Sequence, residues 1–171
     1  MTTPSKSIHP RPQSETNNAN ATRRRFSCLL ALLLLTTRAE AGVTFTTLWS
    51  FNGTNGAVPE ATLVQGRDGA LYGTTIGGGT NDLANGGRGT VFRISTNGQF
   101  STLVHLDYPT GSNPQSGLVQ GSDGDFYGVT DYGGDWGVGV AYRMSPTGSY
   151  VPLCSFGWTN GVYPHGLTEL V

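Results

Sequence analysis

The sequence predicts an all-β fold: propeller-type blades of four antiparallel strands, about two and a half repeats in an open array behind a signal peptide. Three observations carry that expectation. A unit of 50–55 residues recurs along the chain after residue 45. Each unit holds several short runs rich in β-branched and aromatic residues, with strand alternation visible in "GTVFRIS". Asp-Gly and Asn-Gly pairs, which supply the positive φ of tight hairpin turns, punctuate those runs. No helical 3.6-residue periodicity is sustained beyond the leader.

The repeat aligns in two parts. "TTLWSFNGTNGAVPEATLVQGRDGALYGTTIGGG" (Thr46–Gly79) returns without a gap as "STLVHLDYPTGSNPQSGLVQGSDGDFYGVTDYGG" (Ser101–Gly134), an offset of 55. "GTVFRISTNGQF" (Gly89–Phe100) returns as "GVAYRMSPTGSY" (Gly139–Tyr150) at an offset of 50, the difference being an insertion within "TNDLANGGR". A third copy opens at Val151, and Val171 comes before its D-G-x-L-Y-G element. The organisation expected is a leader and signal peptide over 1–41, repeat one over 42–100, repeat two over 101–150 and a partial third repeat over 151–171. Strands are expected at 46–51, 61–66, 70–76 and 89–95, and again at 101–106, 116–121, 125–131 and 139–145.

The leader has the grammar of an export signal. Arg23, Arg24 and Arg25 precede the apolar run "FSCLLALLLL", and Ala39-Glu40-Ala41 places small residues at both specificity positions of a signal peptidase. Ten apolar residues would span only ~15 Å as a helix, about half a bilayer's hydrocarbon core, so no permanent membrane span is expected. "TRRRFS" resembles the twin-arginine export signal through Arg23, Arg24 and Phe26, while the leucine-rich run is equally that of the general secretory route. The expected location is therefore outside a bacterial cytoplasm: periplasm, cell surface or medium.

Cleavage after Ala41 changes the composition. All 26 glycines lie beyond it, one residue in five of what remains. That segment carries four arginines, no lysine and nine acids, a net charge of −5. Nucleic-acid binding requires clustered cations to displace phosphate counterions, and no such cluster exists here. Cys154 is the single cysteine past the leader, which excludes an intrachain disulfide there, and it is expected as a small core residue.

The motifs favour backbone roles over chemistry. The stretch "DGALYGTTIGGGT" (Asp68–Thr80) has P-loop glycine spacing, but Gly79 stands where the phosphate-binding lysine belongs and the second copy has Gly134 followed by Asp135. His105 lies inside the strand pattern "TLVHL" and His165 follows Pro164; both are expected to be structural or surface residues. Asp107, Asp125, Asp131 and Asp135 are expected as turn aspartates, with a weak calcium site or a glycosidase pair as the chemical alternatives. No cofactor is expected. Tyr108, Tyr132, Trp136 and Trp158 fall outside the strands, where aromatic rings stack on sugar faces or anchor a partner, the bland alternative being blade packing.

The unit P-x3-L-V-x-G-x-D-G-x-[LF]-Y-G-x-T…G-G…G-x-[VA]-[FY]-R-[IM]…G resembles the GloVer tandem repeat of secreted bacterial proteins, over essentially all of residues 46–171. A more distant similarity is to sensor propellers with an N/D-G-x-[LI]-W-[IG]-G-T core. The resemblance implies export, a propeller-like array and no assigned catalysis. Such proteins usually carry more copies and a sorting tail, which this sequence lacks, so a fragment of a longer repeat protein is one expectation. The functional expectation is a non-catalytic surface or extracellular module that binds a glycan or another surface protein, or self-associates to complete its blades. A secreted carbohydrate-active hydrolase or lyase and a non-functional gene remnant are the alternatives.

Overall fold

The computed structural model describes residues 43–166. The leader residues Arg23, Arg24, Phe26, Ala39 and Ala41, and residues 167–171, lie outside that range. Strands form at seven of the eight expected runs and at one more, Tyr150–Ser155. β1 (Val64–Gln65), β2 (Leu71–Thr75), β3 (Thr90–Ile94) and β4 (Phe100–His105) make one antiparallel sheet in chain order. β5 (Val119–Gln120), β6 (Phe126–Thr130), β7 (Val140–Met144) and β8 (Tyr150–Ser155) make the second. Both are open four-stranded blades, and no α-helix occurs among the described residues. Between β1 and β2, Gly69 at φ 78° donates its N–H to the Gly66 carbonyl at 2.9 Å, while the Asp68 carboxylate accepts the Ala70 N–H at 3.2 Å.

The phase of the blades differs from the phase of the repeats. The runs at 101–106 and after Val151 begin new sequence copies, yet they form β4 and β8 and pair with the strands before them. Two sheets are thus complete, and the opening of the third copy supplies the last strand of the second blade. The expected strand at 46–51 does not form. It is the same sequence element as β4 and β8, but no β3-like partner precedes it among the described residues. The expected strands 61–66 and 116–121 shrink to two residues each, since only Leu71-Tyr72 and Phe126-Tyr127 face them in register.

The main core lies between the blades. On blade one, Tyr72, Val91 and Val104 share a face through strand register, and Ala70 and Val64 flank them. That face packs on Leu118, Phe126, Tyr142 and Met144 of blade two, all buried. Tyr72 and Phe126 meet with ring centroids 4.1 Å apart, worth ~0.5–1.5 kcal/mol beyond the area they bury. Hydrogen bonds rim the contact: Arg67 Nη1 to the Ser122 carbonyl at 3.0 Å, and Thr74 Oγ1 to the Ser116 carbonyl at 3.1 Å.

The signature residues of the repeat build the same devices twice. Thr75 Oγ1 accepts the Thr90 N–H at 3.1 Å, as Thr130 Oγ1 accepts that of Val140 at 3.1 Å, tying β2 to β3 and β6 to β7. Tyr72 Oη donates to Asp68 at 3.0 Å and Tyr127 Oη to Asp123 at 2.7 Å. Arg93 closes the first set with a 2.8 Å ion pair to Asp68, whereas Arg143 turns to Asp125 at 3.5 Å. The glycine of each Tyr-Gly pair leaves room for a ring across the sheet, since a Cβ on Gly128 would stand 2.3 Å from Tyr142 Oη. Cys154 is not a core residue: it is exposed on β8, because no described residue covers on blade two the face with which Val104, its counterpart, packs blade one onto blade two.

Candidate functional site

Glycine-rich loops bind phosphate through free backbone N–H groups, so the hydrogen bonds of Gly77–Gly79 decide their role. All three N–H groups are engaged: Gly77 donates to Ala57 at 3.1 Å, Gly78 to Gly86 at 2.8 Å and Gly79 to Gly53 at 2.8 Å. Gly78 and Gly79 have φ of 75° and 90°, which side-chain-bearing residues rarely adopt. The stretch is the exit from β2, stitched to the 53–57 turn, and it offers no anion cradle.

The exposed aromatic residues concentrate at one end of the blades. The β2–β3 and β6–β7 connections and the segments leaving β4 and β8 all lie at that end, because the strands are antiparallel. Tyr108 follows β4, Tyr132 and Trp136 lie between β6 and β7, and Trp158 follows β8. Their exposures are 46%, 44%, 66% and 77%, so each keeps part of its ring open to solvent. The loops are bonded to one another. Gly134 donates to the Tyr108 carbonyl at 3.0 Å, Gly137 backs onto Tyr108 Oη, and Gly157 backs onto the Trp136 indole. Tyr108 also lies under the Arg88 guanidinium, 5.4 Å from its centroid, and Tyr132 meets Tyr163 edge-on at 5.6 Å. Exposed aromatic rings on bonded loops at one end of a sheet are groups that can stack on a sugar or anchor a partner.

The acids separate into different roles. Asp107 accepts the Thr110 N–H at 3.0 Å and orders its own turn, and Asp125 pairs with Arg143. Asp135 donates its N–H to Ser155 Oγ at 3.2 Å, the position that His105 Nδ1 fills in blade one by accepting the Thr80 N–H at 3.1 Å. His105 is therefore a loop anchor. Asp131 is different, with its side chain only 4% exposed and His165 Nδ1 at 3.5 Å. Burial raises its carboxyl above the ordinary aspartate value, opposed by the attraction of a protonated His165. Among the described residues no cluster of three or more His, Cys, Asp or Glu side chains has metal-site geometry.

Three relationships escaped sequence reasoning: Arg88 over Tyr108, Tyr163 against Tyr132, and the pairing of Asp131 with His165. Arg88 lies in the first copy's insertion, and Asp131 stands where the first copy has Ile76, so neither position carried a repeat signal. Tyr163 occupies the place of Asn113, and like it donates its N–H to the preceding blade, to the Val138 carbonyl at 2.8 Å.

In comparison with known proteins, a family model described as the Gloeobacter/Verrucomicrobia repeat matches residues 34–170. No protein of curated function matches the chain.

Proposed function

The chain belongs to the Gloeobacter/Verrucomicrobia repeat family, and from that premise we propose that it is an exported, non-catalytic binding module whose aromatic edge takes a glycan. The observation that carries the reading is the exposure of Tyr108, Tyr132, Trp136 and Trp158 on bonded loops at one end of the blades. Export is supported by the Arg23–Arg25 and Ala39-Glu40-Ala41 signals of the leader. Net negative charge beyond the leader favours neutral sugars over polyanions, and the apolar ring faces suit their C–H surfaces. The surface of another exported protein is the other ligand such an edge would accept.

A glycan array probed with the purified chain tests this. Binding that falls at least tenfold in both Trp136→Ala and Trp158→Ala supports the reading. Absence of any retained glycan, or retention untouched by both changes, sinks it. A second reading, a carbohydrate-active hydrolase or lyase, rests on the buried Asp131 carboxylate beside His165. Turnover of a polysaccharide that disappears in Asp131→Asn would replace the binding module by an enzyme.

A further inference from the structure

Successive blades are nearly the same object, so each should offer the same two faces. In blade two the face bearing Phe126, Tyr142, Met144 and Tyr150 is covered by blade one. In blade one the corresponding residues are Leu71, Phe92, Ile94 and Phe100, and they line an open apolar cleft of about 390 Å³. The cleft holds part of what a preceding blade would place there. Leu48 and Trp49 correspond to Leu103 and Val104 of β4, and Trp49 stacks on Phe100 at 4.4 Å with the rings 2° from parallel. The seat is the same to the atom: a Cβ on Gly98 would lie 3.3 Å from the Leu48 carbonyl, and one on Gly148 3.0 Å from that of Leu103. No described residue supplies the counterparts of Tyr72 and Val91, and the space they would fill is the cleft.

Blade two presents the other half of the contact. Its uncovered face carries Tyr127 and Ala141, at the positions of Tyr72 and Val91, together with exposed Val151, Leu153 and Cys154 on β8. We propose that a second copy of this chain docks the β8-bearing face of its blade two into the blade-one cleft, repeating between molecules the contact that joins the blades within one. Leu153 and Cys154 then take the seat of Leu48 and Trp49. The segment 46–51 is in no sheet, so vacating the seat breaks no strand ladder. Ser122 and Val129 stand where Arg67 and Thr74 make the rim hydrogen bonds, and Asp125, paired with Arg143 at 3.5 Å, stands at the place of the buried Ala70, so the contact between copies is weaker than the one within a chain and reversible. It is also heterologous, using two different surfaces, and therefore propagates into rings or filaments rather than stopping at a dimer. Propellers close at ~4–8 blades, so two to four copies of the described pair of blades would complete a ring.

Directionality supplies the test. Leu153→Asp disables the inserting face and Leu63→Asp, at the exposed rim of the cleft, the receiving one. Size-exclusion chromatography with light scattering should show concentration-dependent oligomers for the unaltered full-length chain and monomers for each variant alone. An equimolar mixture should give a discrete dimer, because each variant retains the face that the other has lost. Circular dichroism confirms that both variants remain folded. A monomeric unaltered chain, persistent oligomers in either folded variant, or a mixture of folded variants that stays monomeric would each overturn the proposal, and persistent oligomers would instead point to the leader or another surface. The aromatic edge is untouched by both substitutions, so glycan binding by the monomeric variants reports separately on that reading.

Discussion

The ring of Tyr72 lies on that of Phe126 with centroids 4.1 Å apart, within the core that fastens the first blade to the second. Both residues belong to the same strand of the repeat, one position apart in register, so neighbouring blades interlock through opposite faces of equivalent strands. Phe126 is fully buried at the centre of the shared core. Phe126→Ala is expected to cost ~3–5 kcal/mol, the usual loss for emptying a buried aromatic site. Urea unfolding followed by far-UV and near-UV signals should show both blades lost together at a lower midpoint. Early melting of one blade alone would contradict the shared core.

Tyr142 carries a hydroxyl that the fold does not use. Its Oη is buried without a hydrogen-bond partner, and burial pushes its ionisation far above the ordinary tyrosine value. The first copy has Phe92 at that place. Tyr142→Phe should leave stability unchanged or raise it by about 1–3 kcal/mol, since the desolvation penalty of an unpaired hydroxyl is removed. A loss of stability in thermal unfolding would mean that the hydroxyl has a partner.

Gly128 and Gly73 give the clearest pair of equivalent lesions. A methyl at Gly128 meets the Tyr142 ring, and one at Gly73 meets Phe92 Cζ and Leu63 Cδ2, both at 2.6 Å. Each Gly→Ala change should destabilise by ~1–3 kcal/mol through overpacking, despite alanine's ordinary tolerance of strand geometry. Gly73→Ala should be the milder, because Leu63 borders the open cleft and has room to yield. Chemical denaturation of the two variants side by side tests the order.

Acid should weaken the protein through the turn aspartates. The Arg93 guanidinium bonded to Asp68, aided by the Ala70 N–H and the Tyr72 hydroxyl, holds that carboxyl below its ordinary value, and the Tyr127 hydroxyl does the same for Asp123. A depressed folded-state pKa contributes stability above the unfolded value of about 4, and loses it as pH falls through the folded value. Asp131 has the opposite sign: its raised pKa means the charged form costs stability above that value, and the cost vanishes below about pH 4. Asp68→Asn should therefore destabilise at neutral pH and show a flatter acid limb. Asp131→Asn should stabilise at neutral pH and converge with the parent in acid. Urea midpoints across that range decide both.

The repeat, the blade class and the central strands β2, β3, β6 and β7 were legible because each rests on local chemistry: alternation within the run and a glycine turn beside it, Asp-Gly, Asn-Gly or Pro-Thr-Gly. The fate of 46–51, 101–106 and the run after Val151 was not. The three look alike in sequence, and what separates a strand from an irregular segment is whether a β3-like neighbour precedes it, which is a tertiary fact. The aromatic edge was legible as loop residues, since Tyr108, Tyr132, Trp136 and Trp158 break the strand alternation. Their gathering at one end was not, because it depends on sheet pairing and on hydrogen bonds between loops, such as Gly134 to Tyr108. Cys154 was misread for a related reason. Its strand position matches the half-buried Val104, but burial there is conferred by the next blade rather than by the strand itself.

That β4 and β8 are encoded at the start of the following copy means that the unit of inheritance and the unit of folding overlap like roof tiles. A duplication or deletion of whole copies, wherever its breakpoint falls, rejoins the chain with every sheet still finished by its successor's opening run. Copy number can then drift without leaving a ragged sheet at the junction. The same overlap means that a clone cut between residues 100 and 101, the natural place to divide the text, would remove from the first blade the strand that finishes it.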